Sequence, residues 1–113
     1  MEALDLSLLD ELREFMESDV HILIHEFEVD TRERLQLLAR AIDDRDTETL
    51  RLAAHSLKGG AATLGAVSLS QQFRGLELRG RDASFSGIEQ DLSNTVRSFE
   101  EAMASLNKWL AQP

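Results

Sequence analysis

The chain reads AHSLKGGAATLG from residue 54 to residue 65, a stretch with the spacing of a helix although it holds two adjacent glycines. Wound at 3.6 residues per turn, one face of this helix carries apolar side chains, which are Leu50, Ala53, Leu57, Ala61 and Leu64. The opposite face carries His55 and Lys58, with Gly59 one turn from the imidazole. A glycine inside a helix costs about 0.5–1 kcal/mol relative to alanine. Two glycines beside an exposed histidine therefore indicate that something large approaches the ring closely.

Composition limits the protein class. With 113 residues and 42% hydrophobic content, the chain is expected to form a single domain over residues 1–113. It has no cysteine, which excludes a disulfide framework and a thiolate metal site. Its formal net charge of -9 argues against nucleic-acid binding, which needs clustered Lys and Arg. Neither a signal segment nor an apolar run long enough to span a membrane is visible, so we expect a cytoplasmic protein that does not bind membranes.

Helical periodicity extends along the whole chain. Strand signals are weak, with five Phe, one Trp and no Tyr, and the single proline is the last residue. The pattern predicts helices over about residues 7–17, 19–43, 47–64, 67–79 and 87–110. Four longer helices with short connections predict an all-α fold, an antiparallel four-helix bundle with a short additional N-terminal helix.

Helix ends and buried faces are also predicted. Ser7 and Ser86 each begin a capping-box pattern, Asp46 is placed to cap the third helix, and Gly65 and Gly80 are placed to end the third and fourth. In the first helix we expect a buried stripe of Leu8, Leu9, Leu12, Phe15 and Met16. In the last helix we expect a buried stripe that consists of Ile88, Leu92, Val96, Phe99, Met103, Leu106 and Leu110.

The pattern His55-x-x-Lys58-Gly59-x-Ala61-x-x-Leu64-Gly65 resembles the signature of the histidine-containing phosphotransfer (HPt) family. The resemblance implies a phosphorelay protein that moves phosphoryl groups between aspartates of response-regulator receiver domains. It also implies receiver domains and a hybrid sensor histidine kinase as partners. By the same resemblance, the chain is a monomeric phosphocarrier without a cofactor of its own, and Mg²⁺ belongs to the receiver.

The resemblance assigns roles to particular residues. His55 is the expected phosphoacceptor, since imidazole has abundant neutral form near pH 7 and a ring nitrogen that can attack phosphorus. Lys58 would contact phosphate oxygens, and Gly59 would leave room for the partner. Gly60 departs from the family, in which serine is common at this position. The absent hydroxyl cannot contact phosphate.

Two further positions complete the predicted site. Glu77 occupies a position where relatives commonly have glutamine, and its carboxylate could accept a hydrogen bond from Nδ1–H of His55. Arg81 matches a basic position that some relatives place near the phosphoryl group. A docking face would combine the exposed side of the third helix with apolar residues of the first two, with Leu9, Leu12, Phe27 and Ala62 as candidates.

Other interpretations of these residues stay open. His55, Lys58 and Glu77 could be ordinary solvated side chains, and Gly59 could pack against a neighbouring helix. His21 and His25 have a spacing that can hold one metal ion, although we predict no metal site. The whole chain could be a non-catalytic adaptor that binds partners without phosphate. A kinase-like dimerisation bundle also presents a helix histidine, but neither an ATP-binding motif nor a Gly-rich nucleotide segment is found here.

Overall fold

The computed structural model describes residues 4–113 as five α-helices. They are α1 Leu6–Met16, α2 Asp19–Asp44, α3 Thr47–Thr63, α4 Val67–Arg81 and α5 Ile88–Leu110. Residues 4–113 contain no strand, and one isolated bridge joins Leu4 to Ala66. The predicted all-α class is confirmed. Within the same residues no helix is both long and apolar enough to cross a membrane.

The helices pack in sequence order. α2 contacts α3, α3 contacts α4, α4 contacts α5, and α5 returns to α2. The predicted apolar face of α3 is confirmed, since all five of its residues, Leu50, Ala53, Leu57, Ala61 and Leu64, are buried. Facing them are buried side chains from every other helix, including Leu9, Phe27, Phe73 and Phe99. Because α3 has its buried face in this core, its other face is presented to solvent.

Two predicted core residues are wrong. Phe15 is 88% exposed, because α1 buries only Leu9 fully and Phe15 lies on the other side of that helix. Val96 is 38% exposed, and the neighbouring Thr95 is buried in its place, with its hydroxyl donating to the Asp91 carbonyl at 2.8 Å. The buried face of α5 therefore includes Thr95 and not the apolar Val96, which is the next residue along the helix.

The helix starts differ from prediction at two places. α1 begins at Leu6, where the Asp5 carboxylate accepts from the Leu8 N–H at 3.1 Å, so the capping box expected at Ser7 is wrong. α5 begins after Gly87, which has φ 71° and provides no side-chain cap, so the box expected at Ser86 is also wrong. The Ser86 carbonyl instead accepts from Arg79 Nη2 at 2.6 Å. The predicted cap by Asp46 is confirmed, since its carboxylate accepts from the Thr49 N–H.

Gly80 lies inside α4, which continues to Arg81, so the predicted helix end at Gly80 is wrong. This glycine is buried against the backbone of α3. A Cβ built on it would lie 2.8 Å from the Arg51 nitrogen and 3.0 Å from the Thr47 carbonyl oxygen. Gly80 therefore permits the close approach of α3 and α4, and it holds the preceding turn of α4 next to the solvent face of α3.

α1 reaches from the turn after α3 to the last turn of α5. At its start the Asp5 N–H donates to the Gly65 carbonyl at 2.8 Å. At its other end the Arg13 guanidinium lies 3.8 Å above the Trp109 ring, and Trp109 Nε1 donates to Asp10 at 3.1 Å. Gly65 has φ 71° and closes α3, as predicted. These contacts fix the short helix across one end of the other four.

Candidate functional site

His55 stands on the solvent face of α3 with its side chain 62% exposed. Its Nδ1 lies 2.7 Å from Glu77 Oε2 on α4. A carboxylate can only accept, so Nδ1 carries the hydrogen in this contact. In the neutral ring the lone pair is then on Nε2, and the ring is oriented by a hydrogen bond from its other nitrogen. The arrangement presents an oriented nitrogen nucleophile.

Glu77 divides its two oxygens between two partners. While Oε2 accepts from His55, Oε1 accepts from Lys58 Nζ at 2.8 Å. The hydrogen bond from Lys58 is the largest cause that holds the pKa of Glu77 below its ordinary value, with partial burial opposing it and the His55 contact adding to it. Its side chain is only 17% exposed. Glu77 is therefore an anchored carboxylate at neutral pH, and a freely solvated charge is excluded.

Lys58 lies one turn after His55 with its side chain 29% exposed. Its ammonium has three hydrogens, and the bond to Glu77 occupies one of them. The backbone at this position is tied to α4, since Ser70 Oγ donates to the Lys58 carbonyl at 3.0 Å. Lys58 therefore keeps hydrogens for an anion beside the imidazole while its position is fixed.

Gly59 faces open space. A Cβ built on it would meet nothing within 4 Å, so the alternative that it packs against a neighbouring helix is wrong. A Cβ on Gly60 would lie 3.8 Å from Phe27 Cδ1, an ordinary contact. The backbone at Gly59 is consequently bare next to the imidazole, which leaves room for a folded partner to approach the ring.

Comparisons with known proteins show which family the chain belongs to. The model of the Hpt domain family matches residues 22–110. This chain belongs to the Hpt domain family. Histidine-containing phosphotransfer protein B (HptB) of Pseudomonas aeruginosa PAO1 has a similar solved structure, with a TM-score of 0.89 and 31% sequence identity. The match covers 93% of this chain and 91% of that one, whereas no curated protein sequence matches significantly.

Membership of the Hpt domain family indicates the general role of the chain. Hpt domains serve as histidine phosphocarriers in two-component signalling, where they interact with receiver domains and kinases, and they are not enzymes in the usual sense. The helical chain, the exposed histidine of α3 and the family match are consistent with that role.

A basic cleft of about 420 Å³ lies between α3 and α4 beside Glu77. Lys58 and Arg81 line it, as do two cations that were not predicted as site residues, Arg51 and Arg74. Arg81 Nε donates to Asp82 at 3.0 Å, and Arg51 donates to Glu48 at 2.7 Å. One sequence pattern could have predicted that α4 contributes a continuous face to this cleft. It is the i, i+3, i+4 and i+7 spacing of Arg74, Glu77, Leu78 and Arg81.

The remaining predicted residues differ in their exposure to solvent. Leu9 is fully buried and cannot contact a partner, so this docking candidate is wrong. Leu12 is half-buried, Phe27 lies at the edge of the core, and Ala62 is exposed. His21 and His25 are both exposed, and no group of three or more potential metal ligands occurs among residues 4–113.

Proposed function

We propose that His55 accepts a phosphoryl group from the aspartyl phosphate of a receiver domain and passes it to the aspartate of another. The hydrogen bond between Glu77 and Nδ1 carries this proposal. It leaves Nε2 with the lone pair, on an exposed ring that points away from the core.

The transfer moves the phosphoryl group from an aspartyl oxygen of the receiver to a ring nitrogen of His55. The Nε2 lone pair forms a bond to phosphorus while the bond from phosphorus to the aspartyl oxygen breaks, and the aspartate leaves as a carboxylate. The hydrogen on Nδ1 stays in place, so the phosphorylated ring is an imidazolium. Glu77 faces that positive charge from 2.7 Å and stabilises it. The second receiver reverses the chemistry, because its carboxylate attacks phosphorus and the ring leaves as neutral imidazole.

Lys58 and Gly59 support the same step in different ways. Lys58 directs its spare hydrogens to the phosphate oxygens as charge builds on them, and it forms no covalent bond. Gly59 leaves the approach to the ring open. Mg²⁺ and the remaining groups that stabilise the transition state belong to the receiver, so the chain needs no metal or cofactor of its own.

We further propose a kinase partner, a location and an architecture for the chain. A hybrid sensor histidine kinase supplies the phosphorylated receiver, and the chain works as a cytoplasmic monomer. α2 to α5 form an antiparallel four-helix bundle that α1 covers at one end, and residues 1–113 make up one domain. The cyclic order of helix contacts and the short connections support this architecture.

The proposal is tested by incubating the protein with a panel of phosphorylated receiver domains. A labelled phosphoryl group should move to the protein as an acid-labile, base-stable adduct, and a second receiver should remove it. His55→Gln should accept none while its melting temperature stays close to that of the wild type. A folded wild-type protein that binds receivers and never becomes labelled would instead indicate an adaptor.

A further inference from the structure

The basic cleft between α3 and α4 concentrates positive charge on an acidic protein. Four cations line its volume of about 420 Å³, namely Arg51, Lys58, Arg74 and Arg81. Glu77 is the one carboxylate among the lining residues that the structure describes. The chain as a whole has a formal net charge of -9. Because a cleft lined by one sign of charge attracts counter-ions, anions are drawn to this part of a protein that otherwise repels them.

Arg74 is a cation of the cleft without a protein partner. Its side chain makes no hydrogen bond or ion pair with any residue in the range 4–113, and the residue is exposed. A guanidinium has five N–H donors in a planar fork, which matches two oxygens of a phosphate or a carboxylate. Arg74 therefore presents a complete set of donors to an anion in the cleft.

Lys58 connects the basic cleft with the phosphoacceptor site. It lines the cleft, and it lies one turn after His55 on α3. Its bond to Glu77 Oε1 at 2.8 Å occupies one of three ammonium hydrogens. An anion in the cleft and a phosphoryl group at His55 therefore compete for the remaining hydrogens of one ammonium.

Arg51 and Arg81 form the other basic walls of the cleft. Arg51 Nη2 donates to Glu48 at 2.7 Å, and Arg81 Nε donates to Asp82 at 3.0 Å. The pKa of both guanidiniums is raised, first by these hydrogen bonds and also by attraction to Glu77, so both lie near that carboxylate. Since both ion pairs are exposed and such pairs are weak, either arginine can turn to a doubly charged ligand.

The lining of the cleft indicates the chemistry of its ligand. Leu78 is the apolar side chain among the described lining residues, so an apolar ligand finds little surface here. The volume lies within the range of small-molecule sites, about 300–1,000 Å³. Arginine pairs with phosphate through parallel N–H···O bonds, and several cations around one space favour a ligand with more than one negative charge. Linked phosphate groups on a small molecule meet these requirements.

We propose that the basic cleft binds a soluble small molecule that carries linked phosphate groups, and that its occupancy slows phosphotransfer at His55. Bound phosphates engage the spare hydrogens of Lys58 and repel the phosphoryl group that arrives at the neighbouring imidazole. The binding step is independent of phosphotransfer, because His55 is not among the residues that line the cleft. The effect on the transfer rate rests on the proposed function.

Pyrophosphate is the probe, and its binding is measured by calorimetry and by NMR of the arginine side chains at constant ionic strength. Arg74→Glu should weaken binding about five- to tenfold, since one exposed attraction is lost and a repulsion of similar size replaces it. Arg40→Glu is the matched control, because Arg40 is also exposed, has no ion pair within residues 4–113 and lies outside the cleft. His55→Gln should bind pyrophosphate as tightly as the wild type.

Transfer from a phosphorylated receiver is then measured at increasing pyrophosphate concentrations. Free Mg²⁺ is held constant, because pyrophosphate also binds the metal that the receiver needs. Inhibition of the wild type should be half-maximal near the measured dissociation constant. Arg74→Glu should need about five- to tenfold more pyrophosphate, with each variant compared with its own uninhibited rate.

Four results would contradict parts of this proposal. Equal pyrophosphate affinity in Arg74→Glu and the wild type, or an equal loss in Arg40→Glu, would overturn the site. Loss of binding in His55→Gln would overturn it as well, since the anion would then lie on the imidazole. Binding without inhibition would overturn the regulatory effect alone. If pyrophosphate binds the cleft but no receiver transfers a phosphoryl group to the wild type, the proposed function fails and the binding site stands.

Discussion

Gly80→Ala is expected to destabilise the protein although alanine is the better helix former. The new Cβ would lie 2.8 Å from the Arg51 nitrogen and 3.0 Å from both Arg51 Cα and the Thr47 oxygen. These are backbone atoms that cannot rotate away, so α3 and α4 must separate by about half an ångström. Such overpacking costs about 1–3 kcal/mol. The better helix propensity of alanine offsets about 1 kcal/mol of this cost, which leaves a net loss of up to about 2 kcal/mol and lowers the melting temperature by up to roughly 10 °C.

The same substitution should also impair the site. Glu77 precedes Gly80 by one turn of α4, so a displaced α4 lengthens the 2.7 Å contact between Glu77 and Nδ1 of His55. Thermal unfolding followed by circular dichroism, together with initial transfer rates, measures both effects. Gly75→Ala is the control and should raise the melting temperature. A Gly80→Ala protein at least as stable as the wild type would refute the inferred close packing.

Three further substitutions test the site. Gly59→Ala should stabilise the fold by up to about 1 kcal/mol, because its Cβ meets nothing, yet it should slow transfer from receivers; an unchanged rate would show that no partner approaches there. Lys58→Ala should slow transfer without abolishing it, and rates equal to those of the wild type across receivers would show that Lys58 does not take part in the transfer. The third substitution, Glu77→Gln, tests how the stability of the fold depends on pH. Because the pKa of Glu77 is lowered from its ordinary 4.5, its carboxylate stabilises the fold above pH 4.5 and loses that effect as the pH falls through the lowered value. Urea unfolding of wild type and Glu77→Gln should therefore show a difference at pH 7 that vanishes in acid, and a difference independent of pH would contradict the assigned contacts.

Predictions from the sequence were most accurate where apolar and polar residues repeat at helical spacing. The face of α3 that carries His55, its buried counterpart and the cap at Asp46 all follow from spacing and local chemistry, and the structure has them as predicted. The sequence around the start of α1 does not show whether Asp5 or Ser7 is the N-cap of this helix. Both residues are good N-caps, and the bond from the Asp5 N–H to the Gly65 carbonyl decides it.

The structural roles of the glycines were the hardest to predict from the sequence. A glycine near the end of a helical pattern usually marks a stop, but Gly80 is instead the point where α4 touches the backbone of α3. Gly60 was identified only as a departure from the family pattern. That it uncovers the edge of Phe27 depends on how α2 and α3 pack, and no periodicity within either helix contains that information.

In the proposed transfer, Nε2 of His55 carries the phosphoryl group. The direct measurement is nitrogen-15 and phosphorus-31 NMR of the protein after phosphorylation by a receiver, with the double variant of His21→Gln and His25→Gln as the matched control. We expect a single phosphorylated imidazole, with phosphorus coupled to Nε2 of His55, that is retained in the double variant and absent in His55→Gln. Phosphorus on Nδ1, or on His21 or His25, would contradict it.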